Sequence, residues 1–237
     1  MPYNIIIKWG GEKSMQIGFI TDGKLVHFQK RRDIRPAHLY CFAFGSIGEV
    51  NYEKEVCGES AELEEVALFS RNFNCTVIAG CYTDTKGIKR KSAVVAEKGK
   101  ILGISDMTTG IDGDIYKCGS GIRVYDTSVG KIGVLVGQDI YFPELFKSLA
   151  QCGSEQIVCL YESIGDSLEQ ILLRANAFCY GVPICMCAHG YAQVADVGGK
   201  IAYATPLSPS YFNAEPFKEY HLIETRLRGF HKPQEIF

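Results

Sequence analysis

The sequence predicts an α/β fold in which strands and helices stack in layers around an apolar core. Short apolar runs of strand length alternate with segments whose apolar residues fall at helical spacing. Pairs such as Asp22-Gly23, Lys98-Gly99 and Gly198-Gly199 punctuate the runs at turn positions. The stretch Lys131-Ile-Gly-Val-Leu-Val-Gly-Gln-Asp-Ile-Tyr-Phe-Pro-Glu144 reads, in one piece, as a strand, a sharp turn and the start of a helix.

Taken in order, the first strands are expected over Tyr3 to Trp9, Met15 to Thr21 and Lys24 to Lys30, the last two joined as a hairpin by Asp22-Gly23. Leu39-Tyr-Cys-Phe-Ala-Phe44 reads as a further early strand. A helix is expected from Ala61 to Phe73, with Ser60 as its N-cap and Glu62, Glu64 and Glu65 near its positive end. Its inner face would carry Leu63, Val66, Ala67 and Phe73. Strands follow near Cys75 to Thr83, Ser92 to Glu97 and Lys100 to Ile104, the last two turning at Lys98-Gly99, and Gly121 to Lys131 reads as a hairpin. Pro143 suits a first helical turn and Gly153 a helical stop. Ser154 to Tyr161 is the next strand. Ser167 to Tyr180 is a helix bounded by Asp166 and Gly181, with Leu168, Ile171, Leu172, Ala175 and Cys179 as its core stripe. Strands near Pro183 to Ala188, Tyr191 to Val197, Lys200 to Ala204 and Glu219 to Arg226 complete the pattern.

At 237 residues the chain suits one domain with a sizeable core, or at most two small ones, and it shows no internal repeat. A net charge of -2 gives no general pull toward nucleic acid or acidic membranes, and Lys30-Arg31-Arg32 reads as a solvated strand end. No window holds the apolar length of a membrane span, and the opening residues lack the basic-then-apolar design of a signal peptide, so a cytoplasmic protein is expected. Ten cysteines then read as reduced thiols, many of them in apolar runs. Cys185, Cys187 and His189 alternate along one strand face, about 7 Å from one to the next, too far to close on one ion without bending. No metal or cofactor is expected, since Gly119-Ser-Gly121 also lacks the full glycine fingerprint of a nucleotide loop.

The most telling combination is Gly133 in the strand, Asp139 after the turn, and Phe142, Pro143 and Glu144 opening the helix. It resembles the nucleophile-elbow motif of the nitrilase, or carbon-nitrogen hydrolase, superfamily, in which a cysteine stands two residues before the Asp and five before the Phe-Pro-Glu. Here that position is Gly137. Gly121 to Lys131 is similar to the hairpin before the family's cysteine strand, and Arg174-Ala-Asn-Ala to its helix behind the site, so that the resemblance runs from about Cys57 to about Arg228.

The resemblance implies a four-layer α-β-β-α sandwich forming a single domain over 1–237, divergent in its first ~50 residues, with a homodimer formed back to back through the two helices. The family attacks an amide or nitrile carbon with a cysteine thiolate, moves protons with a glutamate and holds the oxyanion with a lysine. Position by position, Gly137 stands for the cysteine, Met107 for the lysine and Phe44 for the glutamate. Loss of a nucleophile from a catalytic unit costs on the order of 10⁶ in turnover. A catalytically degenerate member is therefore expected, with a binding role or an active paralogue as partner. The alternative is an enzyme using remodelled residues in the same cleft, with Cys159 and Glu162 as contributing groups. The cleft should be small and apolar. Its polar character would come from Gln138, Asp139, Glu162 and His189, suiting a small ligand that is neutral or weakly cationic.

Overall fold

The computed structural model describes residues 14–31, 34–110, 113–165 and 167–214. The expected strands at Tyr3 to Trp9 and Glu219 to Arg226, and Asp166 at one helix boundary, lie outside the described residues. In chain order the first half holds β1 (Met15–Ile20), α1 (Leu25–Gln29), β2 (Leu39–Phe42), β3 (Glu49–Asn51), α2 (Tyr52–Cys57), α3 (Glu62–Asn72), β4 (Thr76–Thr85), β5 (Ile88–Glu97) and β6 (Lys100–Asp106). The second half holds β7 (Arg123–Thr127), β8 (Gly130–Val136), a 3-10 turn (Gly137–Tyr141), α4 (Pro143–Gln151), β9 (Gln156–Ser163), α5 (Leu168–Tyr180), β10 (Ile184–His189), β11 (Tyr191–Ala195), β12 (Ile201–Thr205) and β13 (Ser210–Ala214).

Two sheets result, one ordered β13-β1-β2-β4-β5-β6 with β3 beside β4, the other ordered β12-β11-β10-β9-β8-β7. At the heart of each sheet the strands run parallel, β1-β2-β4 in one and β8-β9-β10 in the other. Strand alternation then sorts the side chains. Val158 and Leu160 of β9 face the other sheet with Ala93, Val95, Ile132 and Val134, whereas Ile157 and Cys159 face α4 and α5 with Phe146 and Leu173. Val66 and Phe69 of α3 pack on the outer face of the first sheet against Tyr40, Phe42 and Val77. Three apolar layers between four layers of elements make the expected α-β-β-α sandwich.

Several local expectations are corrected. Lys24 to Lys30 is not a strand but carries α1, because Leu25 and Phe28, three residues apart, are both buried as one helical face requires. Asp22-Gly23 therefore turns no hairpin, and β1 pairs instead with β2 and β13. Ser60 does not cap α3. Its hydroxyl donates to Glu55, whose carboxylate accepts the first helical N–H groups, from Glu62 at 2.9 Å and Leu63 at 3.3 Å. On α5 the apolar stripe of Leu168, Ile171, Ala175 and Cys179 faces outward, and the buried face carries Glu169, Leu173, Asn176 and Ala177. One buried oxygen of Glu169 accepts from the Tyr141 hydroxyl at 2.6 Å, and the other has no partner among the described residues. No expectation covered β3, α2 or β13, which are short and held by tertiary contacts. Among the described residues no helix is long and apolar enough to cross a membrane.

Candidate functional site

β8 delivers its last residues to the end of the sheet, where Gly137 opens the 3-10 turn with φ +57°. This is the left-handed region, where a side chain is strained. Space is restricted as well. A Cβ at Gly137 would sit 2.8 Å from Sδ of Met107 and 3.7 Å from Cδ of Lys91. Met107 is fully buried and held by its own backbone, which donates to the Lys91 carbonyl at 2.8 Å. The following residues are tied to the turn by Asp139. One of its oxygens accepts from the backbone N–H groups of Thr108 and Thr109, both at 2.9 Å, and from their hydroxyls at 3.0 and 2.8 Å. Burial raises the pKa of this carboxyl, and the same four donors oppose the rise. Asp139 thus acts as a structural clasp, pinning the segment after β6 against the turn.

The polar centre of the site lies across the gap between the sheets. Lys91 stands opposite Tyr82 in the β4–β5 ladder, on the face that Ala93 and Val95 present to the second sheet. Glu162 follows Leu160 by two residues on β9 and so faces back toward them. The Lys91 ammonium donates to Glu162 at 2.7 Å, lies 3.7 Å from Asp114 and sits 5.1 Å from the centre of the Tyr116 ring. The other Glu162 oxygen accepts from the Tyr82 hydroxyl at 2.6 Å. Burial and the Glu162 carboxylate push the pKa of Tyr82 up, so the phenol remains a donor. A lysine with only 7% of its side chain exposed needs such partners, because an unpaired ammonium would be costly to desolvate.

The expectation of a small, apolar cleft with Glu162 among its polar groups does not include a lysine: Lys91, from a position other than the motif's, stands beside the turn with Glu162. The structure brings Gly137, Met107 and Glu162 to one place, with Phe44 at its margin, buried, its ring 5.5 Å from that of Tyr82. Gln138 is the second residue of the turn, and its Oε1 is shielded from solvent with no partner among the described residues. Cys159 is not part of the group. It lies on the opposite strand face from Glu162, packed toward the outer helices, and burial drives its thiol pKa well above the ordinary value. Cys185 and Cys187 are buried between the sheets while His189 is exposed, beside Asp22. Among the described residues no cluster of His, Cys, Asp or Glu could hold a metal ion. Lys91 was missed by placing the start of its strand at Ser92. The available signal was a lysine two residues before Ala93 on the same alternating face.

The carbon-nitrogen hydrolase family model matches residues 36–206. A deaminated glutathione amidase from Yersinia enterocolitica is 38% identical over 69 residues, a match that spans 28% of this chain and 24% of that relative's length. Among solved structures, Nit3 of Saccharomyces cerevisiae, a member of branch 10 of the nitrilase superfamily, aligns with TM-score 0.74 at 15% identity over 99% of each chain. A nitrilase-superfamily amidase from Nesterenkonia AN1 aligns with TM-score 0.70 at 16% identity over 92% of this chain and 94% of its own. A carbon-nitrogen hydrolase from Helicobacter pylori G27 aligns with TM-score 0.70 at 18% identity over 86% and 90%. At these identities the solved structures speak for the shared four-layer fold, and the family model supplies the membership: this chain belongs to the carbon-nitrogen hydrolase family.

Proposed function

We propose that this chain is a catalytically degenerate carbon-nitrogen hydrolase homologue, a single cytoplasmic domain that binds a small molecule or assembles with an active paralogue and does not hydrolyse amides or nitriles through a cysteine. The observation that carries this reading is the packing at Gly137. No thiol stands at the turn, and Met107 occupies the space a side chain would enter. Cys159, the thiol a remodelled cleft would use, is buried on the wrong strand face with its thiolate disfavoured. The test is ammonia release from simple amides, nitriles and carbamoyl compounds. Rates at the no-enzyme level are expected, and turnover abolished by Cys159→Ala would overturn the proposal.

A second reading has its own support in Lys91 and Glu162, which would act as remodelled groups in the same cleft. Against it, both charges are already engaged, with each other and with Tyr82 and Asp114. Hydrolysis lost in Lys91→Met but retained in Cys159→Ala would favour it. For assembly, the outward stripe on α5, with Leu168 47% and Ile171 53% exposed, supports a homodimer through the helical layer.

A further inference from the structure

The ammonium of Lys91 is incompletely matched. It carries three N–H donors, and among the described residues it makes one hydrogen bond, to Glu162 at 2.7 Å. Both oxygens of Glu162 are taken, by Lys91 and by the Tyr82 hydroxyl. The second carboxylate, Asp114, stops at 3.7 Å, close enough to attract but beyond hydrogen-bond reach. With 7% of the Lys91 side chain exposed, water has little access to complete the shell.

Asp114 and Tyr116 come to this site as one unit. The Tyr116 backbone N–H donates to Asp114 Oδ1 at 3.2 Å, and Ile115 between them is 67% exposed. The Tyr116 ring stacks on that of Tyr82, with centroids 5.2 Å apart and 29° between planes, and the Lys91 ammonium sits 5.1 Å from its centre. Phe44 extends the aromatic wall, its ring 5.5 Å from that of Tyr82. The chain thus offers its own lysine a carboxylate and a flat ring held together, which are the features of an aromatic carboxylic acid. A carboxylate free of the chain can close on Lys91 to the roughly 2.7–2.9 Å of a charge-assisted hydrogen bond, which Asp114 does not reach. Exchanging one carboxylate for another leaves the charge of the cleft unchanged. We propose that the cleft binds a small aromatic carboxylate, its charge on Lys91 and its ring on Tyr82, and that Asp114 and Tyr116 are an internal competitor that the ligand displaces. The lysine moves the ligand class away from the neutral or weakly cationic one suggested by the motif positions. The proposal rests on the reading of the chain as a small-molecule binder and names the ligand.

The test is a titration of the ¹⁵N-labelled full chain with 4-hydroxyphenylacetate, followed through the backbone amide spectrum, with acetate and 4-hydroxyphenylacetamide as parallel arms. Saturable shifts are expected at Tyr82, Lys91, Asp114, Tyr116 and Glu162, with the arm that lacks the ring and the arm that lacks the charge each at least about tenfold weaker. Asp114→Asn keeps the acceptor for the Tyr116 N–H and removes the competing charge, so it should bind the probe about tenfold more tightly. Lys91→Met should lose saturable binding. No saturation by the aryl carboxylate, equal affinity for either parallel arm, or unimproved affinity in folded Asp114→Asn would each overturn the assignment. If Lys91→Met does not fold, acetylation of Lys91 by acetic anhydride in Asp114→Asn, read by mass spectrometry, takes its place: the probe should slow it several-fold, and an unchanged rate overturns the site. Ammonia release is scored separately, so a chain that is inert toward amides yet fails to bind the probe loses the ligand and keeps the degenerate-hydrolase reading.

Discussion

A side chain at residue 137 would have to meet two demands at once, a left-handed backbone and a contact with a sulfur 2.8 Å from its first carbon. Gly137→Cys is therefore expected to lose about 1 to 3 kcal/mol of stability to backbone strain, before any cost of moving Met107. It should also show no amide turnover, because a nucleophile works only as one of a unit. Urea unfolding and ammonia release measure the two halves of this prediction. Robust turnover would mean that Met107 yields and that Lys91 and Glu162 serve the new thiol. The cysteines offer a second test at this scale. A thiol reagent near neutral pH should modify the exposed Cys57, Cys118 and Cys152 rapidly and Cys159 only on unfolding, since burial both shields it and keeps it protonated. Rapid, selective labelling of Cys159 would contradict its placement. Gly137 and Asp139 were legible in the sequence because turn chemistry is local and their neighbours form one motif. Lys91 was not, because its role depends on Glu162, 71 residues away along the chain and on the other sheet.

At the scale of elements, periodicity identified the central strands and long helices but misjudged which way one helix faces. The residues Leu168, Ile171, Ala175 and Cys179 do share a side of α5, yet the side turned to the core is the one with Glu169 and Asn176. Buried polar groups mislead any count of apolar residues. Here Tyr141 donates to one oxygen of Glu169, and Asn176 donates to the Leu172 carbonyl at 2.9 Å. The short α1 was misread for a related reason: five residues hold too little pattern to separate a strand from a helix, and only Leu25 and Phe28 together reveal the period. The outward stripe carries its own expectation. If α5 forms the homodimer contact, Ile171→Glu places a charge in that contact and should yield monomers in analytical ultracentrifugation, with the amide spectrum of the fold unchanged. A wild-type chain that sediments as a monomer at every concentration would remove the helical dimer from the proposal.

At the scale of the whole molecule, the two sheets meet mainly through apolar side chains, which hold surfaces together without fixing how they slide. The layered architecture was legible because unbroken apolar runs along β5, β8 and β9 imply two buried faces per strand. What crosses between the layers was not, since nothing local marks which strand ends meet. The Lys91–Glu162 contact, with the Tyr82 hydrogen bond beside it, is different in kind from the apolar part of that interface, being directional and short. It joins the start of β5 in one sheet to the end of β9 in the other, at the rim where a cleft between sheets would part first. The pair should therefore behave as a rivet in slow hydrogen exchange. Amides of β5 and β9 near it should open together in the wild-type chain, with one common free energy. In Lys91→Met the β9 end should exchange earlier than the strand centres while β5 keeps its protection, turning one cooperative opening into two.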